Sequence, residues 1–234
     1  MNQEAINKAR SVYYGLFSSL FTFNDEKKDV KNILKSIDVL NQNPLDEYSN
    51  NAFNIMKKIL EESGEKALQD ESNLVFFSLT TQTIPVSASF YDESRDDGKK
   101  RVEMSEYVLK SKYRKDTSTC KESEDHIGFI LSFMHKLIEE EISGDKDSAL
   151  LAREVFINIL NAMVDEFMQN VYQHEESVFY KQLVISMKVF IDFERMFYDV
   201  KEPEKKSREV VEEIKKPKEF KKRAKRNFDE FTTV

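Results

Sequence analysis

Glu122, Ser123, Glu124, Asp125 and His126 stand together near the start of the segment "TCKESEDHIGFILSFMHKLIEEE", with Gly128 two residues further on. Three carboxylates beside an imidazole could bind a metal, move a proton or recognise a cation. Metal ligation is poorly served. Glu122 and His126 lie one turn apart if the helix begins early, as do His135 and Glu139, and each pair offers two ligands rather than a full set. A four-helix di-iron site needs a Glu three residues before each liganding His, and the positions before His126, His135 and His174 hold Ser123, Ser132 and Val171. Proton-transfer and nucleophile motifs are absent as well: there is no phosphate-binding loop, no nucleophile elbow and no paired-histidine metalloprotease motif. Cys120 is the one cysteine, and nothing in the sequence holds a base within reach of its thiol. No catalytic residue, metal or cofactor is therefore expected.

A structural account of the cluster is available. Ser123 is a suitable N-cap, and Glu124 and Asp125 in a first turn would complement the positive end of the helix dipole. Capping leaves two residues unexplained. A cationic His126 is disfavoured in a first turn, and Gly128 costs about 1 kcal/mol relative to alanine in a helix. A glycine there makes sense if another backbone or a ligand comes close.

The elements that must position this cluster read as helices. Val12, Tyr13, Leu16, Phe17, Leu20 and Phe21 follow a three-four spacing within a stretch from Ile6 to Phe21, and Val30, Ile33, Leu34, Ile37 and Leu40 do so before "NQNP". A third helix is expected over about 45–62, with Gly64 just beyond its end. The run Thr80 to Ser89, interrupted by Pro85, reads as an extended loop, with two short strands as the competing interpretation. Helical spacing resumes after Gly98. The cluster opens the next helix, residues 144–172 form a longer one with Asp147 or Ser148 as cap, and His174 to Tyr198 form the last. The expected fold is all-α, a single globular bundle of about 8–11 helices over residues 1–200, with a loop insertion around 80–98.

Composition agrees with that class. The chain has 234 residues, 40% of them hydrophobic, with only five glycines and four prolines. Its net charge of −7 argues against a general nucleic-acid binder. The charge is uneven, since residues 201–234 hold 12 Lys and Arg against 8 Asp and Glu, leaving the body markedly acidic. This basic stretch is expected to be a separate extension. No apolar run reaches about 18 residues, and a lone cysteine excludes a disulfide framework, so a cytoplasmic location without stable membrane insertion is expected.

The stretch "ESEDHIGFILSFMHKLI" resembles the signature of the TorD/DmsD/NarJ-like family of redox-enzyme maturation chaperones, a Glu-Pro-x-Asp-His element followed by a small residue, an apolar stretch and Phe-Met-x-x-Leu. Glu122, Asp125, His126, Ile127, Phe133, Met134 and Leu137 fall on it, and Ser123 replaces the proline. "ARSVYYGLFSSLF" resembles the family's first helix. "IPVSASFYDESRDDGKK" resembles its loop, through Pro85, Ser89 and Tyr91, and the loop and tail are similar to the subset associated with formate dehydrogenase. The resemblance implies a non-catalytic chaperone that binds the twin-arginine signal peptide and apo large subunit of a molybdoenzyme, delays export and assists cofactor insertion.

Such a client presents two guanidiniums followed by an apolar segment, which calls for carboxylates beside a hydrophobic surface. Two segments carry them: Asp92, Glu93, Asp96 and Asp97 after Tyr91, and Glu122, Glu124 and Asp125. They are expected to meet as one acidic rim. Tyr91 would offer a face to an arginine, Phe90 or Phe129 would form an apolar floor, Asp125 and His126 would fix the geometry, and Gly128 would allow close approach. A helical adaptor for another partner, or a carboxylate-histidine metalloenzyme, are the alternatives. Either a monomer or a dimer is compatible with the sequence.

Overall fold

The computed structural model describes residues 3–22, 29–118 and 120–203. These form α1 (Gln3–Phe21), α2 (Val30–Gln42), α3 (Glu47–Phe76), α4 (Ala88–Glu93), α5 (Lys99–Lys110), α6 (Ile127–Ile142), α7 (Lys146–Val155), a π-helical turn (Phe156–Leu160), α8 (Asn161–Gln173) and α9 (Phe179–Tyr198). Among the described residues there is no strand, only an isolated antiparallel bridge between Ser87 and His126. The all-α expectation holds. The basic extension, beyond Pro203, lies outside the described residues.

The apolar stripes read from the sequence face inward. Tyr14, Phe17 and Leu20 of α1 are fully buried with Ile130, Met134 and Leu137 of α6, and these two helices form the most extensive pairing in the bundle. α3 packs along α9, where Tyr13 of α1 stacks on Phe190 at 4.6 Å between centroids. The result is one continuous aromatic-rich core, with α4 and α5 set on its flank against α8 and α7.

Several helix boundaries differ from those expected, each for a local reason. α3 runs on past residue 62 as a kinked pair, because Gly64 at φ 69° and ψ −167° breaks the backbone without ending the helical path. Asp46 and Ser49 cap it reciprocally. The stretch 80–89 is irregular as far as Ser87, whose hydroxyl accepts the Phe90 amide and starts the short helix α4. The cap of α7 is Asp145 rather than Asp147 or Ser148, since its carboxylate accepts the Asp147 amide at 3.1 Å and the Ser148 hydroxyl at 2.7 Å. The long helix expected over 144–172 is interrupted by the π turn, which carries buried Phe156, Ile159 and Leu160. α9 begins at Phe179 instead of His174: Glu71 of α3 accepts the amides of Val178, Phe179 and Tyr180 at 2.8–3.0 Å and fixes the start there.

A charged cluster centred on Arg10 sits inside the bundle. Arg10 of α1 is fully buried, with Nε 2.6 Å from Glu194 Oε1 and Nη2 3.0 Å from Glu194 Oε2. It also donates to Asn7 at 3.1 Å, to Glu141 at 3.3 Å and to the Tyr198 hydroxyl, and its guanidinium lies 4.1 Å from the Phe197 ring centroid. Burial opposes the charge on Arg10, but Glu194 outweighs it and holds the guanidinium protonated. The pair clamps α1, α6 and α9 together.

Candidate functional site

The two acidic segments meet along a short antiparallel junction. Ala88 N donates to the Asp125 carbonyl at 2.8 Å, and Ile127 N donates to the Val86 carbonyl at 2.8 Å, flanking the Ser87–His126 bridge. Side chains reinforce the backbone contact. Asp125, fully buried, accepts the Ser89 amide on Oδ2 at 3.0 Å, so it caps α4 from across the junction, while its Oδ1 has no partner among the described residues. The Ser89 hydroxyl accepts the Arg101 amide at 3.2 Å and links α4 to the first turn of α5.

His126, not Ser123, is the N-cap of α6. Ser123 lies in the preceding turn, its carbonyl accepting the His126 amide at 3.1 Å, and Glu124 and Asp125 precede the helix instead of occupying its first turn. His126 Nδ1 accepts the Gly128 amide at 3.0 Å, which requires that nitrogen to be unprotonated. Burial pushes the imidazole below its usual pKa, with Glu122 and Asp125 pulling the other way. The difficulty of a cation at the positive helix end is thereby removed, because a neutral acceptor suits that place. Gly128 is also accounted for. A Cβ there would lie 2.8 Å from the Thr22 amide nitrogen and hydroxyl, so the close approach is made by the end of α1.

The rim around this junction is acidic but already paired. Glu124 receives Arg101 Nε at 3.1 Å and Lys115 Nζ at 3.3 Å, and Arg101 Nη1 also reaches Asp97. Burial raises the Glu124 pKa, but its own backbone amide, Arg101 and Lys115 together hold it below the usual carboxylate range. Glu93 is paired with Arg95 at 2.9 Å and Lys99 at 3.2 Å, and Asp96 accepts the Ser87 hydroxyl at 2.5 Å. Asp92 is half-buried on α4. Glu122 accepts the Cys120 thiol at 3.3 Å, and burial pushes that thiol up to about 11, leaving it protonated at neutral pH.

The aromatic residues divide differently from expectation. Tyr91 does not offer an open face: it is buried, donates to the Pro85 carbonyl at 2.8 Å and meets Phe167 of α8 edge to face. Phe90 and Phe129 are the half-buried rings at the rim, and Lys115 Nζ lies 5.7 Å from the Phe129 centroid. The sequence reading missed Arg101 and Lys115. The i,i+4 spacing of Asp97 and Arg101 was the available signal for the first, whereas Lys115 reaches Glu124 through a loop that leaves no periodic trace.

Among the described residues no group of three or more His, Cys, Asp or Glu is arranged to hold a metal ion, and no helix is long and apolar enough to cross a membrane. Fold and junction define an all-helical protein with an ion-paired acidic edge. The sequence profile of the nitrate reductase delta subunit family matches residues 42–171, more than half of the chain, and the chain belongs to that family, the NarJ/TorD-like chaperones of redox-enzyme maturation. The matched region contains both halves of the junction. A crystal structure of a protein assigned to redox enzyme maturation in Archaeoglobus fulgidus is similar over 79% of this chain and 93% of that one, at 24% identity and a TM-score of 0.48. No curated protein matches the chain.

Proposed function

We propose that this chain is a cytoplasmic chaperone that binds the twin-arginine signal peptide and the apo catalytic subunit of a molybdoenzyme, with formate dehydrogenase as the client. It acts without catalysing a reaction, by holding the signal back from export while the cofactor is inserted. The observation that carries this reading is the junction of residues 85–101 with 120–128 in a family of redox-enzyme maturation chaperones.

Seven carboxylates at that junction, Asp92, Glu93, Asp96, Asp97, Glu122, Glu124 and Asp125, stand among six cations, Arg95, Lys99, Lys100, Arg101, Lys115 and Lys121, of which Lys100 is turned to Glu103 and the Asn158 carbonyl, and His126 is neutral. The carboxylates suit two client guanidiniums, each able to form a fork with one of them. Phe90 and Phe129 offer apolar surface for the segment that follows. Asp125 and His126, both buried, act as positioning residues that keep α4, α5 and α6 in register. Contact with the client falls first to the exposed Asp97, with the half-buried Glu93 and Glu124 behind it.

Calorimetry of the protein against a synthetic formate dehydrogenase signal peptide tests the reading. Binding should weaken steeply with salt, should fall when the two arginines are replaced by lysines, and should fall again in Glu124→Gln. A peptide that binds equally well after both arginines become alanine would remove the basis for this assignment.

A further inference from the structure

We propose that Leu74, Phe77, Leu79 and Val178 form a second docking surface, which seats the folded body of the apo catalytic subunit while the rim takes its signal peptide. The inference rests on the proposed function. It adds the surface that the client's body uses.

The patch is held by polar bonds beneath it. Leu74 and Phe77 lie one turn apart at the end of α3, after which the chain turns back. The Thr81 hydroxyl donates to the Leu74 carbonyl at 2.5 Å, and the Ile84 amide to the Val75 carbonyl at 3.2 Å. Glu71, one turn before Leu74, accepts the Val178 amide at 2.8 Å and so brings Val178 alongside. His174 Nδ1 accepts the Glu176 amide, so Nε2 carries the proton and donates to the Gln82 carbonyl at 3.0 Å. That bond ties the returning strap to the turn between α8 and α9. Leu79 is fully exposed, and Val178, Phe77 and Leu74 are 58%, 40% and 36% exposed. Single exposed apolar residues are ordinary, but four on one anchored surface mark an interaction site.

Shape and charge select the occupant. Leu79 stands out as a knob at the bend of the strap, and a knob needs a pocket in its partner, which a folded domain has and an extended peptide lacks. Asp70, Glu175 and Glu176 are exposed around the patch, while Lys181, on the next turn of α9, is drawn over the Tyr172 ring at 4.6 Å. Acidic surroundings repel a second copy of this chain and attract a pocket rimmed by basic residues. The strap also joins the patch to the rim, since residues 77–87 lead to the Ser87–His126 bridge over a span of at most about 35 Å. One client can therefore occupy both, with its signal on the rim and its body on the patch.

The test is calorimetry of the full chain against two ligands: a formate dehydrogenase catalytic subunit produced without cofactor and without its signal peptide, and the signal peptide alone. Leu79→Ser and Val178→Ser should each weaken binding of the subunit about tenfold and leave the peptide within about twofold of wild type. Glu175→Lys combined with Glu176→Lys should weaken the subunit as well and flatten its salt dependence. A subunit that binds wild type and both serine variants equally, or does not bind wild type, would overturn the inference and leave signal-peptide recognition standing. Loss of peptide affinity in the serine variants would overturn it too, by merging the patch with the rim. So would a wild-type dimer in sedimentation that Leu79→Ser splits, which gives the patch to a second copy. Wild type that binds neither ligand would remove the proposed function as well.

Discussion

Asp125 Oδ2 and the Ser89 amide meet at 3.0 Å although they are 36 residues apart, and both residues are fully buried. This single bond caps α4 with a carboxylate that belongs to the segment before α6. It makes the geometry of the rim a property of two loops taken together, because α4 cannot shift without breaking the contact.

Asp125→Ala should cost about 2 kcal/mol in urea denaturation, since it leaves a buried amide without its acceptor. Asp125→Asn can still present an oxygen to Ser89 and should cost roughly half as much. Wild-type stability in the alanine variant would mean that the bond does not hold the junction.

His126 gives the junction a pH dependence of known sign. Burial lowers its pKa in the folded protein below the ordinary value of about 6.5, so the unfolded chain takes up the proton first as pH falls. The stability tied to the neutral imidazole is fully present above about pH 6.5 and is lost as pH drops through the folded pKa. His126→Asn retains a side-chain acceptor for the Gly128 amide and removes the titration. The stability advantage of wild type over this variant should shrink between pH 7.5 and pH 5.5; a constant difference would show that His126 does not titrate differently in the two states.

How much of this was legible in the sequence depended on distance along the chain. The buried faces of α1 and α6 repeat at helical spacing, and periodicity found them. Gly128 announced a close approach because a glycine is costly in a helix, but the identity of the approaching group, Thr22 at the end of α1, is set by how two helices pack. The capping reading failed by three residues at Ser123 for a similar reason. Ser123, Glu124 and Asp125 have good local credentials, and pairing with Val86–Ala88 delays the helix until His126. Tyr91 is expected from the sequence to offer an open face, whereas Phe167, 76 residues away, covers it. Glu71 and Glu194 gave no signal at all, because a lone carboxylate reads the same whether it caps a distant helix or faces solvent.

Glycine substitutions separate packing from helix propensity. Gly128→Ala would bring a Cβ to 2.8 Å from the Thr22 backbone, which must move, and the strain should exceed the propensity gained by about 1–2 kcal/mol. Gly15→Ala meets only the His135 ring at 3.4 Å, so it should be neutral or stabilising by up to about 1 kcal/mol. Thermal melts of the two variants should therefore move in opposite directions or, at least, only the first should fall.

The Arg10–Glu194 pair supplies the largest expected effect. All of the guanidinium's hydrogen-bonding edges are engaged, by Glu194 through two contacts and by Asn7, Glu141 and Tyr198, and Glu194 also accepts the Tyr14 hydroxyl at 2.8 Å. Arg10→Met strands a buried carboxylate and should cost about 3–5 kcal/mol, whereas Glu194→Gln leaves the guanidinium only Glu141 as counter-ion and should cost somewhat less. The double variant should lose much less than the sum, because neither charge is then left alone, and the coupling in a double-mutant cycle should exceed roughly 1 kcal/mol. In the double variant Tyr198 loses the Arg10 donor and Tyr14 the charged acceptor at 194, which keeps it below wild type. Additive losses in urea denaturation would show that the two residues stabilise the bundle independently, and α1 would then be held to α9 by apolar packing alone.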